Sequence, residues 1–215
     1  MDKKSVLYCG TQSTTRHNLL RLAEIPFKVV ELSVCEEDAL VRGTTAAERA
    51  MEIAQYKHIG LDVPALILAH EESKEPIFLL TADTVIQGVV DGYFFAKPES
   101  LEQARELIQK ISSQEIIVAT GMSLSVWQYH PEEEGWYNSF HETWVSEIHA
   151  QFNVPSDEVE YYFARHPIAL RACGAAAGED FGMRYFKSLN GSYSGALGLD
   201  IYSLYHRLKK LGFRC

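Results

Sequence analysis

The chain has 215 residues, of which 47% are hydrophobic and 23% charged, a balance that excludes the disordered, collagen-like and disulfide-scaffold classes and supplies enough apolar residues for a core. Twenty lysines and arginines against twenty-nine aspartates and glutamates leave a net charge of −9. That charge argues against a general binder of nucleic acid polymers or anionic membranes and demands a local cationic pocket for any anionic ligand. The four cysteines, Cys9, Cys35, Cys173 and Cys215, form no CxxC pair, so neither a zinc knuckle nor a disulfide framework is indicated and a reducing, cytoplasmic setting is expected. The N-terminus lacks the apolar stretch of a signal peptide, and the longest apolar run, residues 63–69, is too short to span a bilayer. No repeat, low-complexity tract or Pro/Gly/Ser linker divides the sequence, and one mixed α/β domain over residues 1–215 is expected.

In chain order, residues 5–9 form a short apolar run, followed by the polar loop Gly10-Thr-Gln-Ser-Thr-Thr and by residues 16–23, where Leu19, Leu20 and Ala23 recur at helical spacing. The pattern predicts strand, loop and helix. Residues 27–32 predict a second strand. Thr45-Ala-Ala-Glu48 is a capping box, opening a helix that runs to about Ile59 and stops at Gly60. Two further apolar runs, 64–69 and 77–82, come next, and residues 85–90 and 93–95 flank Asp91-Gly92 as the arms of a hairpin. Ser100-Leu-Glu-Gln103 is a second capping box, with Ala104, Leu107, Ile108 and Ile111 as the buried stripe of its helix. Residues 115–127 predict a long strand, 128–141 a solvated hairpin tip and 143–152 a returning strand. Ser156 is placed to cap a short helix through Ala164. Asp200 is placed to cap a terminal helix with Ile201, Leu204, Tyr205, Leu208 and Leu211 on one face and Gly212 at its end.

Two places carry the chemistry. The loop from Gly10 to Arg16 joins a strand to a helix start, where backbone N–H groups, the hydroxyls of Thr11 and Ser13 and the helix dipole favour an anion such as phosphate; the same residues are also ordinary caps. It is not a Walker loop, lacking Gly-Lys-Ser/Thr. The second is Asp83, which directly follows an apolar run and precedes another. An acid at a strand end is a candidate metal ligand or general base, and a turn-forming aspartate is the plain alternative. Glu36, in the acidic patch beside Cys35, is a candidate second oxygen ligand for Mg²⁺. Arg16, Lys57, Lys97 and Arg171 matter together only if the fold converges them. The eight histidines form no HxH or HExxH pattern.

The motifs also stand in a specific order. Thr11-Gln-Ser-Thr-Thr-Arg16-His-Asn-Leu-Leu20 and Ile25-Pro-Phe27 are followed by Glu36, Ile53-Ala-Gln-Tyr-Lys57 and Ala82-Asp83-Thr-Val-Ile. Ala96-Lys97-Pro98, Thr120-Gly121, Asn190-Gly-Ser-Tyr193 and Gly198-Leu199 complete the series. In that order the chain resembles, over nearly its whole length, the Maf family of nucleoside-triphosphate pyrophosphatases, also called septum-formation-inhibitor-like proteins. The resemblance implies an elongated Maf-like, ITPase-like α/β fold, with a mixed twisted sheet and flanking helices making two lobes around a cleft, and pairing as a homodimer. It also implies a Mg²⁺ or Mn²⁺ ion bridging Glu36, Asp83 and the triphosphate. Lys57, Lys97 and Arg16 would neutralise phosphate charge, Asp83 would position or deprotonate the attacking water, and Thr11, Ser13 and Arg171 would contact the substrate. The implied products are a nucleoside monophosphate and pyrophosphate, in the removal of non-standard or surplus nucleotides.

The sequence departs from the family pattern within the functional motifs. Thr14 and Thr15 stand where the family has Pro and its first Arg, and a threonine hydroxyl cannot replace a planar bidentate donor. Cys35 replaces the acid beside Glu36, Arg171 aligns with a family Lys, Ala177 with a Gln near the active site, and Asp200 with a Pro. These departures support a second reading, a catalytically weakened nucleotide- or protein-binding regulator of cell division.

Overall fold

The computed structural model describes residues 4–35 and 38–215. In order, the elements are β1 (Leu7–Cys9), α1 (Thr14–Leu22), β2 (Phe27–Val29), α2 (Ala46–Ile59), α3 (Val63–His70), β3 (Ile77–Gly88) and β4 (Phe94–Phe95). There follow α4 (Leu101–Ser112), β5 (Ile116–His130), β6 (Gly135–Phe152), α5 (Val159–Arg165), three short 3₁₀ turns within 167–185, β7 (Phe186–Asn190), α6 (Tyr193–Ala196) and α7 (Ile201–Lys210). The strands join one mixed sheet in the order β2-β1-β3-β5-β6-β7, with β4 paired on β3. β1 is parallel to both β2 and β3, and β3, β5, β6 and β7 pair antiparallel in succession. This is the mixed α/β architecture that the sequence predicts, and among the described residues no helix is long and apolar enough to cross a membrane.

The long strands serve two cores in turn. Phe78 and Leu80 of β3, Met122 and Leu124 of β5 and Trp144 of β6 pack with Leu20 of α1 and Leu204 and Leu208 of α7. Further along the same strands, Ile86, Ile116, Val118, Ile148 and Phe152 pack with Leu107, Ile108 and Ile111 of α4 and Tyr162 of α5. Each such side chain, once buried, contributes about 1.5–3 kcal/mol. The change of core falls at the centre of the sheet, where Asp83 lies opposite Gly121 and Thr84 opposite Thr120. Here α2 crosses, and its approach requires glycine: a Cβ at Gly121 would overlap the Ala50 carbonyl.

Local chemistry explains where the elements agree with the sequence and where they differ. The Thr45–Glu48 capping box forms reciprocally, and Asp200 caps α7 by accepting from the Ser203 N–H. Ser100 caps α4, while Gln103 reaches back to the Glu99 N–H. The apolar run 64–69 is the helix α3, because Asp62 accepts from the Ala65 N–H and Pro64 sits in the first turn, where its missing N–H is harmless. The runs on either side of Asp83 form one strand, β3, so Asp83 is mid-strand and makes no turn. Most of the predicted hairpin tip is paired, since β5 continues to His130 and β6 resumes at Gly135. Ser156 does not cap α5, which begins after Glu158 with no side-chain cap, and Tyr205 lies 40% exposed on α7 instead of within its buried face.

Candidate active site

The loop after β1 builds the first part of the site. Ser13 is the N-cap of α1, its Oγ accepting from the Arg16 N–H at 3.3 Å, and Thr11 Oγ1 accepts from the Ser13 N–H at 3.2 Å. His17, to which the sequence assigns no role, steadies the loop through its Nε2, 2.9 Å from the Thr11 carbonyl. Residues 10–16 line a cavity of about 1040 Å³, and the first turn of α1 presents it with backbone N–H groups that have no acceptor within the helix.

Arg16 is buried at 8% exposure, and three of its five N–H donors serve the framework. Nε donates to the Gly198 carbonyl at 2.7 Å, Nη1 to Thr11 Oγ1 at 3.3 Å and Nη2 to Thr84 Oγ1 at 2.9 Å. Thr120 donates to the Gly195 carbonyl at 2.8 Å, so the 2.9 Å contact between Thr84 and Thr120 runs from Thr84 to Thr120. The guanidinium therefore begins a hydrogen-bonded relay across β3 and β5 to the α6 segment. It fastens the anion loop to the sheet as well as facing the cavity.

Lys57 and Asp83 form the centre. Ala50, Ala54 and Lys57 are the buried stripe of α2, and its flush contact at Gly121 places the lysine over mid-β3. Lys57 Nζ donates to Asp83 Oδ1 at 2.6 Å, with the side chains only 11% and 8% exposed. Lys97, delivered by the segment between β4 and α4, and Arg171, from the first 3₁₀ turn (Pro167–Arg171), are exposed and line the same cavity. Thr11, Ser13, Arg16, Lys57, Asp83, Lys97 and Arg171, distant in sequence, thus face one space. Glu36 lies outside the described residues; its neighbour Cys35 lines the cavity.

The facing wall is different in character. Pro167, Ile168, Ala172, Cys173, Ala176 and Gly178 contribute mostly apolar surface, and Glu179 contributes a carboxylate. Thr15 Oγ1 donates to Glu179 Oε1 at 2.6 Å, bringing that carboxylate to the start of α1. No motif of the sequence includes Glu179. Tyr193, whose hydroxyl donates to the Gly178 carbonyl at 3.0 Å, has its phenol pushed up by burial and then by the Glu179 and Asp180 charges. Ala177 is 2% exposed within the second core and does not line the cavity.

The charge balance suits an anion. Among the described lining residues, four cations meet the three carboxylates of Glu31, Asp83 and Glu179, a local positive surplus on a chain of net charge −9. Cys9, directly before the loop, is a poor nucleophile, because burial pushes its thiol up to about 12. Among the described residues no group of three His, Cys, Asp or Glu can hold a metal ion.

The family model described as Maf-like protein matches residues 6–211. The chain belongs to the Maf family. Among its relatives is a dTTP/UTP pyrophosphatase of Neisseria gonorrhoeae, 25% identical over 211 residues that cover 98% of this chain and 96% of the relative. One of Bacillus cytotoxicus is 28% identical over 209 residues, covering 97% and 95%, and one of Bacteroides thetaiotaomicron is 34% identical over 134 residues, covering 62% and 63%. In this Maf protein the Thr120-Gly121 motif has a physical basis: Thr120 ends the Arg16 relay and Gly121 admits α2.

Proposed function

We propose that this Maf protein is a nucleoside-triphosphate pyrophosphatase that acts, like its named relatives, on pyrimidine nucleoside triphosphates. The observation that carries the reading is the convergence of the anion loop, the Lys57–Asp83 pair, Lys97 and Arg171 on one cavity. Thr11, Ser13 and the first turn of α1 hold phosphate oxygens, and Lys57, Lys97 and Arg171 neutralise charge that grows as the α–β bridge breaks. Asp83, held by Lys57, orients the attacking water and takes its proton. The water oxygen joins the α-phosphorus and the bridging oxygen departs with pyrophosphate, leaving a nucleoside monophosphate.

The donor that Asp83 offers is hard carboxylate oxygen, and among the described residues no cluster of three His, Cys, Asp or Glu competes for a softer metal; this suits Mg²⁺ or Mn²⁺, which take one or two carboxylates together with phosphate oxygens and waters. Asp83 would hold such an ion, with Glu36 as the second carboxylate that the family pattern supplies. When bound, the ion contributes Lewis-acid stabilisation of phosphate charge.

The test is a panel beginning with dTTP and UTP, with Mg²⁺ or Mn²⁺, in which pyrophosphate and inorganic phosphate are followed separately. Pyrophosphate release is expected, and Asp83→Asn is expected to lower kcat by about 10²–10⁴-fold with the fold intact. A fully active Asp83→Asn protein would sink the assignment. One contact favours the second reading, a binder that does not turn nucleotide over: the Thr15–Glu179 bond puts an anion where a phosphate would sit. Nucleotide binding without turnover across the panel would select it.

A further inference from the structure

Beneath the last turn of α2 lies a polar cluster that the proposed chemistry does not use. Thr81, Ser123 and Ser125 are completely buried, a costly placement for three hydroxyls unless each finds a partner. Two imidazoles meet them. His58 on α2 places Nε2 2.8 Å from Ser125 Oγ and Nδ1 3.3 Å from Thr81 Oγ1. His141 on β6 places Nε2 2.9 Å from Ser123 Oγ and stacks on His58, with ring centroids 4.9 Å apart and planes 19° from parallel. His58 is the inner ring and His141 the exposed one.

The single proton of each hydroxyl sets the direction of the bonds. Thr81 donates to the Ala54 carbonyl at 2.7 Å, so it accepts from His58 Nδ1–H, and His58 Nε2 is left to accept from Ser125. Thr143 donates to Ser123 at 3.0 Å, and Ser123 in turn donates to His141 Nε2. The inner ring, His58, serves this network as a neutral imidazole.

His58 directly follows Lys57, and Thr81 lies two residues before Asp83 on the same face of β3. The same helix and strand are thus tied twice, by Lys57–Asp83 and by His58–Thr81, and Ser125 extends the tie to β5. His58 itself does not line the cavity. We propose that His58 is a positioning residue for Lys57: its neutral ring pins the last turn of α2 to β3 and β5 so that the ammonium stays on Asp83, and His141 covers it against water. The proposal rests on the reading of the cleft as a triphosphate-cleaving site.

Protonation of His58 turns Nε2 from acceptor to donor and sets a second positive charge one residue from Lys57. Burial first, and His141 second, hold the His58 imidazole down at about 4. Among the described residues, His141 on β6 is the titratable group that meets the ring, Lys57 precedes His58 on α2 and Asp83 lies two residues beyond Thr81 on β3, and the β5 residues that meet the rings, Ser123 and Ser125, do not titrate.

The experiment measures pyrophosphate release from dTTP and UTP by the full chain between about pH 4.5 and 9, with the melting temperature taken at each pH. His58→Leu is expected to stay folded and to lose about tenfold or more in kcat at pH 8 with little change in KM, and His58→Gln, whose amide both donates and accepts, to regain most of that loss. His141→Ala is expected to keep the pH 8 rate and to move the acid limb of kcat upward by roughly one pH unit or more, since its removal wets His58 and deletes a like charge. A His58→Leu rate within about twofold of wild type, or a His141→Ala profile that superimposes on wild type, overturns the proposal. If His58→Leu does not fold, His58→Gln and His141→Ala decide it. If wild type releases no pyrophosphate, the cleavage reading fails separately, and the Lys57 ammonium resonance carries the test. That resonance is expected to follow the His58 titration, and to do so at higher pH in His141→Ala; a Lys57 signal blind to both titrations overturns the proposal.

Discussion

The cleft has one wall of charged side chains fixed by buried hydrogen bonds and another of 3₁₀ turns and small apolar residues. On the first, Arg16 binds three acceptors from three segments and Lys57 sits 2.6 Å from Asp83. On the second, the turn Cys173–Ala175 carries left-handed backbone at both Gly174 and Ala175, with φ of 64° and 55°. Uncharged groups secure it: the fully buried Tyr162 hydroxyl donates to the Ala175 carbonyl at 3.0 Å and accepts from the Ala177 N–H at 2.9 Å, and the Gly174 N–H donates to the Ala96 carbonyl at 2.8 Å. The difference teaches a division of labour. Lys57 and Asp83 are oriented in advance, which is where electrostatic catalysis gains most, while the apolar wall supplies shape against the rest of the ligand.

The comparison breaks most readily at Gly121. Gly121→Ala drives a Cβ into the Ala50 backbone, which cannot swing aside, so α2 must lift and carry Lys57 away from Asp83. A loss of about 3 kcal/mol in urea unfolding is expected, together with loss of pyrophosphate release. A variant as stable as wild type would show that the first wall is not held as rigidly as its contacts imply. Behind the second wall, Ala177→Gln introduces the residue that the family resemblance implies but places an amide in the core beside Tyr162, at a site 2% exposed. A cost of about 2 kcal/mol with no gain in activity is expected; a rise in activity at unchanged melting temperature would mean that this residue reaches the cleft after all.

The same two walls differ in how far the sequence reveals them. The loop at Ser13, the Thr45 capping box and the Lys57 and Asp83 motifs lie in short segments whose local chemistry is complete, and the residues named from them meet in the cavity. The strand setting of Asp83 was hidden, because an acid amid apolar residues reads as a break until Lys57, 26 positions away, supplies its partner. Arg16 likewise reads as a phosphate ligand alone, since its bond to Gly198 spans 182 residues. Glu179 gives no local signal: its role depends on Thr15, 164 residues earlier, and on turns whose left-handed backbone no periodicity announces.

Acid separates the walls next. His58 is held at about 4, below its ordinary 6.5, so the unfolded chain binds its proton more tightly than the folded one. Its contribution is complete above pH 6.5 and is lost as the pH falls towards 4. Allowing for partial exposure of the ring, about 2 kcal/mol should disappear over that window in urea unfolding. His141→Ala should make the loss smaller, since the folded value then lies nearer the unfolded one. An equal loss in wild type and His141→Ala would remove the stacked pair as its source.

The smallest expected effect bears on the carboxylate that the second wall contributes. Glu179 stands within hydrogen-bonding distance of Thr15 at the start of α1, where phosphate oxygens are proposed to bind. Its carboxylate and a bound triphosphate repel, and at the effective dielectric of a solvated cleft the penalty is about 1 kcal/mol, equivalent to about fivefold in affinity. Glu179→Gln keeps a group that can accept from Thr15 while removing the charge, so KM for dTTP or UTP should fall by about fivefold with kcat changed less than about twofold. Binding of inorganic tripolyphosphate, measured by calorimetry, should tighten by a similar factor and reports on the anion loop without any turnover. A rise in KM instead would make Glu179 a ligand of the substrate or of its counter-cation, and the second wall would then bring a carboxylate as well as Arg171 to the chemistry.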